Sequence, residues 1–333
     1  MVESQGKAQS RFWEIFESLD KTKISEFDAF LKKFAVDFNL YKNGEFIERA
    51  FPFDLIPRII EKSEFETLER GIAQRIEALN LFLGDVYGEQ KIIKDGVVPT
   101  EFVHTAKAFL PAFIRVKPPK NIRTHISGID LVKDTKTNDW IILEDNLRVP
   151  SGASYPLSIR KAYRKVYPEF FENLEISKVK FYPKYLEEAM NHVNCGGINV
   201  VLTPGRYNSA YYEHSYLAKE ADARLATSAD LEVEGGKLYF KNYNGQKIRV
   251  GAVYRRLDDD FLDPLEFRGD SLIGVAGITS AYRAGNVAIM NAIGNGVADD
   301  KGIYYFVPTS PPNLLSDLYP PSGTFSNRRK RLE

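Results

Sequence analysis

The stretch GIDLVKDTKTNDWIILEDNLRVPSG, residues 128–152, reads as two strands joined by a polar turn, and the fold follows from how they pair. HISGIDLVKD and DWIILEDNL are rich in strand-forming residues, and Asp134, Thr135, Thr137, Asn138 and Asp139 between them are turn formers. With the turn centred near Thr137, antiparallel pairing places residues opposite one another when their numbers sum to about 274, which sets Asp130 against Glu144. Side chains alternate along a strand, so Asn146 shares a face with Glu144 while Leu143 and Asp145 point the other way. Opposed carboxylates about 5 Å apart at Cβ repel each other unless a cation or a proton sits between them. Magnesium suits this donor set, because it takes hard oxygen ligands, uses one or two protein carboxylates and fills its octahedron with water and phosphate oxygens. The alternative is a solvated hairpin whose acids face water, and a one-residue slip would put the two acids on opposite faces. Arg148 and the turn Pro150-Ser151-Gly152 follow at once. A guanidinium and free backbone donors there suit phosphate or carboxylate oxygens; the other reading makes Arg148 a surface ion-pair partner.

On either side of the hairpin the pattern changes. Residues 1–98 form a helical region, with apolar residues at helical spacing in ISEFDAFLKKFAVDF and FETLERGIAQRIEALNLFLGDVYG. FPFDLIPRII and Asp95-Gly96 interrupt it as connectors. Residues 99–190 hold the hairpin, and 191–308 form a mixed α/β part. In that part INVVLTPG is a buried strand, NSAYYEHSYLAKEA a helix, and KLYFKNY, IRVGAVYRRL and NVAIMNA further strands, the first two joined at Asn244-Gly245. NVAIMNAI runs into Gly294 and Gly296, which permit close approach of phosphate, and a helix start at Asp299 or Asp300 precedes Lys301. Residues 309–333, rich in proline and ending in RRKR, read as a divergent, weakly ordered tail whose basic end is solvated.

Composition narrows the classes of function. The 333 residues are 44% hydrophobic and 27% charged, as in a soluble globular protein. Lys plus Arg and Asp plus Glu are 45 each, so no overall field draws in nucleic acid or an anionic membrane, and a charged ligand must be held locally. Cys195 is the single cysteine, which excludes an intramolecular disulfide and a multi-cysteine zinc site and suits the cytoplasm. No secretory signal is visible, and the longest apolar runs, such as AFLPAFI at 108–114, are too short to span a bilayer. His104, His125, His192 and His214 lack paired ligand spacing, and neither G-x-S-x-G nor H-E-x-x-H occurs, which argues against zinc and serine hydrolases. A dinucleotide fingerprint is broken at Asp299, where a third glycine would stand. The acid run Asp258, Asp259 and Asp260 beside Arg255 and Arg256 is either a charged loop or a second site.

At the hairpin the sequence resembles the circularly permuted type 2 ATP-grasp proteins, relatives of glutathionylspermidine synthase, whose metal strands carry an Asp and then Glu-x-Asn. Asp130 matches the first, Glu144 and Asn146 the second, and LEDNLRVPSGASY is similar almost throughout. LFLGDVYGEQKIIKDGVVP, VVLTPGRYNSAYYEHSYLA, VGAVYRRLDDDFLDPL and AYRAGNVAIMNAIGNGVADDK resemble further family blocks, so the likeness runs over residues 45–307. The resemblance implies a circularly permuted ATP-grasp fold of the mixed α/β kind, with ATP and Mg²⁺ as cofactors. It implies a carboxylate–amine ligase acting through an acyl-phosphate on small-molecule or peptide substrates. Carried over residue by residue, Asp130, Glu144 and Asn146 are metal ligands, and Lys301, Arg255, Ser151 and Gly152 bind the nucleotide. Arg256 and Arg148 are catalytic. Family members continue into a second nucleotide-clasping lobe that nothing after Pro308 matches, so the expected fold has an incomplete second lobe. Apolar surface left by that loss favours a homo-oligomer, and the reading that competes with a ligase is a non-catalytic binding or assembly protein on the same scaffold.

Overall fold

Lys247–Arg255 is the strand around which the second half of the chain is organised in the computed structural model, which describes residues 7–34, 36–38, 40–42, 45–47, 49–53 and 56–306. The tail expected at 309–333, RRKR included, lies outside the described residues. From Val250 onward the strand is buried without interruption, as an unbroken apolar run demands when both faces of a sheet are covered. Ile198–Leu202 pairs with it in parallel, Val200 against Val253, and Arg224–Ala226 extends that side. On the other side the early part of Lys247–Arg255 pairs antiparallel with Lys237–Lys241, and the later part pairs in parallel with Ala288–Met290. Leu231–Glu234 completes the six-stranded sheet. The Asn244-Gly245 turn is present, with Gly245 at φ +75°.

Helices cover both faces. Leu186 and Met190 of Tyr182–Val193 and Leu217 of Tyr211–Glu220 pack with Val201, Ala252 and Tyr254. The end of Lys62–Val86, through Leu79, Leu83 and Val86, packs with Val200, Leu202 and Val253 on the opposite side, together with Ile278–Arg283.

The first helices do not join this long one. Lys7–Ser18 and Ile24–Lys33 build a separate aromatic core with Ser154–Val166 and Glu169–Asn173, in which Phe12 stacks on Phe170 at 4.8 Å and Phe27 meets Tyr163 at 4.9 Å. The helix expected to run on through AVDF ends at Lys33. Residues 36–38 instead pair with 49–51, Phe38 N–H donating to Arg49 O and Phe51 N–H to Val36 O, both at 2.9 Å. This buries Val36 against the aromatic cluster, a packing gain that outweighs a weak local preference.

The hairpin Gly128–Lys133 and Trp140–Asn146 is a two-stranded sheet of its own, which has little stability in water and must be docked. Asp145 turns inward and takes a two-pronged contact from Arg75 of the long helix, at 2.7 and 2.6 Å. Glu64, near the start of the same helix, accepts from Lys133 and, at 2.7 Å, from Trp140 Nε1. Tyr304, in Lys301–Tyr304, donates to Ile142 O. Among the described residues no helix is long and apolar enough to cross a membrane.

Candidate functional site

On the outer face of the hairpin Asp130 lies opposite Glu144, and Gly128 opposite Asn146, in the register expected from the sequence. Nearer the turn the pairing is Leu131 with Ile142 and Lys133 with Trp140, so Leu143 is an extra residue on its strand, a β-bulge. The bulge corrects one expectation: Leu143 is exposed instead of sharing the inner face with Asp145, and that face is made by Ile142 and Asp145, three residues apart. Had the pairing nearer the turn continued without a bulge, Asp130 would have met Leu143. Burial and the neighbouring charge of Glu144 raise the Asp130 carboxyl above its usual range. Lys301, 3.2 Å away at Oε2, holds Glu144 below its usual range, with help from Asn146. Asp300 caps the helix that carries Lys301, accepting from Gly302 N and Ile303 N.

Asp130 and Asn146 open onto a cleft of about 320 Å³ whose lining also includes Arg148, Ser151, Asp258 and Asp299. Three separated segments meet there: the end of the hairpin, the residue before Asp259–Leu262, and the turn Asn295–Asp299. Asp299 accepts from Leu147 N at 2.7 Å and Arg148 Nε at 2.9 Å, while Asp258 is 3.4 Å from Arg148. Burial pushes the Asp299 carboxyl up to about 6 in spite of these donors. Among the described residues Arg148 is the one cation of the lining, set against three aspartates. A triphosphate carrying several negative charges would be repelled from this cleft unless a cation came with it. The donor chemistry on that face, two carboxylates and an amide, suits magnesium with water and phosphate oxygens as its other ligands, although among the described residues no group of three or more His, Cys, Asp or Glu could hold a metal ion.

Comparisons with known proteins bear on the fold. A family model described as a circularly permuted ATP-grasp matches residues 57–317. The chain belongs to the circularly permuted ATP-grasp family. It is 48% identical over 277 residues to an uncharacterized protein of Synechocystis, a match covering 82% of this chain and 57% of that one. It is 42% identical over 322 residues to an uncharacterized protein of Mycobacterium tuberculosis, covering 93% of this chain and 57% of that one. A Frankia casuarinae protein with the provisional name glutamate–cysteine ligase 2-2 is 38% identical over 271 residues, covering 80% of this chain and 31% of that one. The chain thus spans little more than half the length of the first two relatives.

Within this ATP-grasp scaffold the remaining expected site residues divide. Arg148 and Ser151 line the cleft. Arg255 and Arg256, expected on the nucleotide and substrate side, are buried and do not line the cleft. Arg255 donates to the carbonyls of Asn291, Leu257 and Ala292 and pairs with Asp259 at 2.7 Å. Arg256 donates to Pro150 O and Ser151 Oγ, both at 2.7 Å, and to Tyr254 Oη at 2.9 Å. Both guanidiniums are therefore used to hold backbone and turn. The glycines before Lys301 also differ from expectation. A Cβ on Gly294 would lie 2.4 Å from Tyr87 Oη, and one on Gly296 2.5 Å from Arg148 Cδ, so these glycines make room for side chains of the protein itself.

Sequence reading missed Glu213. It is buried beneath the turn at 150–154 and accepts from Ser151 Oγ at 3.1 Å, Gly152 N at 2.8 Å, Ser154 N at 3.0 Å and Ser154 Oγ at 3.0 Å. Gly152, at φ +116°, can take the conformation that aims its N–H at this carboxylate. Asn291 was missed as well: its Oδ1 accepts from His125 N at 2.7 Å and Ile126 N at 3.0 Å, joining the sheet to the base of the hairpin. Neither residue lies in a recognisable spacing, since their partners are distant in sequence.

Proposed function

We propose that this chain carries the magnesium- and phosphate-binding part of an ATP-dependent ligase that joins a carboxylate to an amine or a similar nucleophile through an acyl-phosphate. The observation that carries the reading is the opposition of Asp130 and Glu144, with Lys301 as the only cation paired with them among the described residues, beside a cleft of three aspartates and one arginine. Asp130, Glu144 and Asn146 would hold the metal. Magnesium, when bound, supplies charge neutralisation and alignment of phosphate oxygens.

The chain's own residues then have distinct tasks. Lys301, largely exposed and tied to one carboxylate, is free to turn toward a phosphate oxygen once a cation relieves Glu144. Arg148, fixed through Nε by Asp299 and held more loosely through Nη1 by Asp258, would offer Nη2 to an entering phosphate or carboxylate. Arg256 and Glu213 act through the 150–154 turn by fixing Ser151, so they position and do not touch the reacting atoms. In the reaction the bond between ADP and the terminal phosphoryl group breaks as that group passes to a substrate carboxylate oxygen, ADP leaves, and attack by the nucleophile on the acyl carbon, with loss of its proton to solvent, releases phosphate. Arg148, the one cation of the cleft lining among the described residues, would balance negative charge there.

The test is calorimetric titration of ATP with and without Mg²⁺. Binding heat is expected only with the metal, and Asp130→Asn or Glu144→Gln should abolish that dependence. No Mg²⁺-dependent heat in the wild type, or unchanged dependence in both variants, overturns the reading.

A further inference from the structure

A second cavity of about 520 Å³ borders the 150–154 turn and shares Ser151 with the acidic cleft. Its chemistry is the opposite. Its walls are Phe38, Phe51, Phe53, Tyr155 and Ile159, closed by two prolines and an alanine, and among the described residues its lining contains no charged side chain. Phe51 stacks on Tyr155 at 4.0 Å with 15° between the rings, and Phe38 stands edge-on to both, at 6.3 and 6.4 Å. The volume is that of a small-molecule site, and a charged group placed there would be desolvated without a partner.

The polar atoms on its wall that point toward reaction chemistry belong to Ser151 and Gly152, whose N–H is already held by Glu213. Ser151 Oγ is fixed by Arg256 and Glu213, and Ser151 is the residue common to the linings of both cavities. A Cβ built on Gly152 meets nothing within 4 Å, so no packed side chain crowds the turn at that point. A molecule lying across Ser151 would have its polar end at Ser151 and Arg148, in the acidic cleft, and its apolar end among the stacked rings.

We propose that this aromatic cavity receives the side group of the carboxylate substrate, so that the acid activated here bears an aryl or bulky alkyl group and is not a small polar acid such as glutamate. The inference rests on the ligase reading above for which end reacts, but not for what the cavity holds. Titration of the full chain with 3-phenylpropionate, propionate and glutamate, without nucleotide, tests it. Burial of the ring predicts that 3-phenylpropionate binds at least about tenfold more tightly than the other two. Filling the cavity from two different walls, with Ala210→Leu and separately Ile159→Trp, removes that preference while the Mg²⁺-dependent heat with ATP persists. In the wild type, nuclear Overhauser contacts join the phenyl protons to the ring of Tyr155. Equal binding of the three acids, a preference that survives both fillings, or absence of the Tyr155 contact overturns the proposal. Loss of the ATP response alone sinks the ligase reading and leaves the aryl preference standing, so the two failures are distinguishable.

Discussion

The two faces of one hairpin treat carboxylates in opposite ways. On the inner face Asp145 is buried and met by Arg75 in a matched two-pronged contact, so its charge is answered within the fold. On the outer face Asp130 and Glu144 confront each other, and the cation that reaches Glu144, Lys301, is largely exposed. The inner arrangement serves docking: a two-stranded sheet cannot stand alone, and the ion pair fixes it to the long helix. The outer arrangement is answered only in part, by an exposed lysine on Glu144, and Asp130 keeps a raised carboxyl beside it. A strand pair can therefore be firmly held on one face and electrostatically unsatisfied on the other, because the dielectric surroundings of the two faces differ.

The sharpest way to break this contrast is to strand the inner carboxylate. Arg75→Ala leaves Asp145 buried without its partner and should cost about 3–5 kcal/mol in urea unfolding. Replacing both together, Arg75→Met with Asp145→Leu, should recover most of that loss, since apolar groups of similar volume carry no desolvation penalty. If Arg75→Ala left the unfolding midpoint unchanged, the inner face would be no better anchored than the outer.

Asp299 lies between the extremes, largely buried at the cleft yet bonded to a half-exposed arginine. Its folded pKa of about 6 exceeds the 3.8 of a free carboxyl, so between these values the native state holds a proton that the unfolded chain has released. The contribution to stability is present at low pH and is lost as pH rises through about 6. Asp299→Asn should flatten that part of the stability–pH curve by no more than about 3 kcal/mol between pH 4 and 7. A wild-type profile without a falling limb in this window would remove Asp299 from the set of strained groups.

The smallest effect on stability is expected on the outer face itself. Asp130→Asn should leave the urea midpoint unchanged or raise it, because it removes one of two repelling charges, and Lys301→Ala should leave it unchanged, as expected for an exposed ion pair. Asp130→Asn should remove the Mg²⁺-dependent response to ATP. A clear loss of stability in both variants would make the outer face a structural element like the inner one.

The sequence by itself determined the hairpin, the turn at Asn244-Gly245 and the cap before Lys301, while the opposition of Asp130 and Glu144 that it suggested also needed the bulge at Leu143. The first three depend on residues close together in the chain, where alternation, turn chemistry and capping act over a few bonds. The family was legible for the same reason, since its motifs are short and contiguous. Only the tertiary structure decided that Leu143 is a bulge, because that depends on docking Ile142 and Asp145 together against the long helix and Tyr304. Tertiary contacts also decided that Arg255 and Arg256 are buried supports, that Gly296 makes room for Arg148, and that Glu213 and Asn291 hold the site from 61 and 166 residues away. A side chain's chemistry is set by its sequence, but whether its charge meets water, a carbonyl or another charge is set by what the fold packs around it.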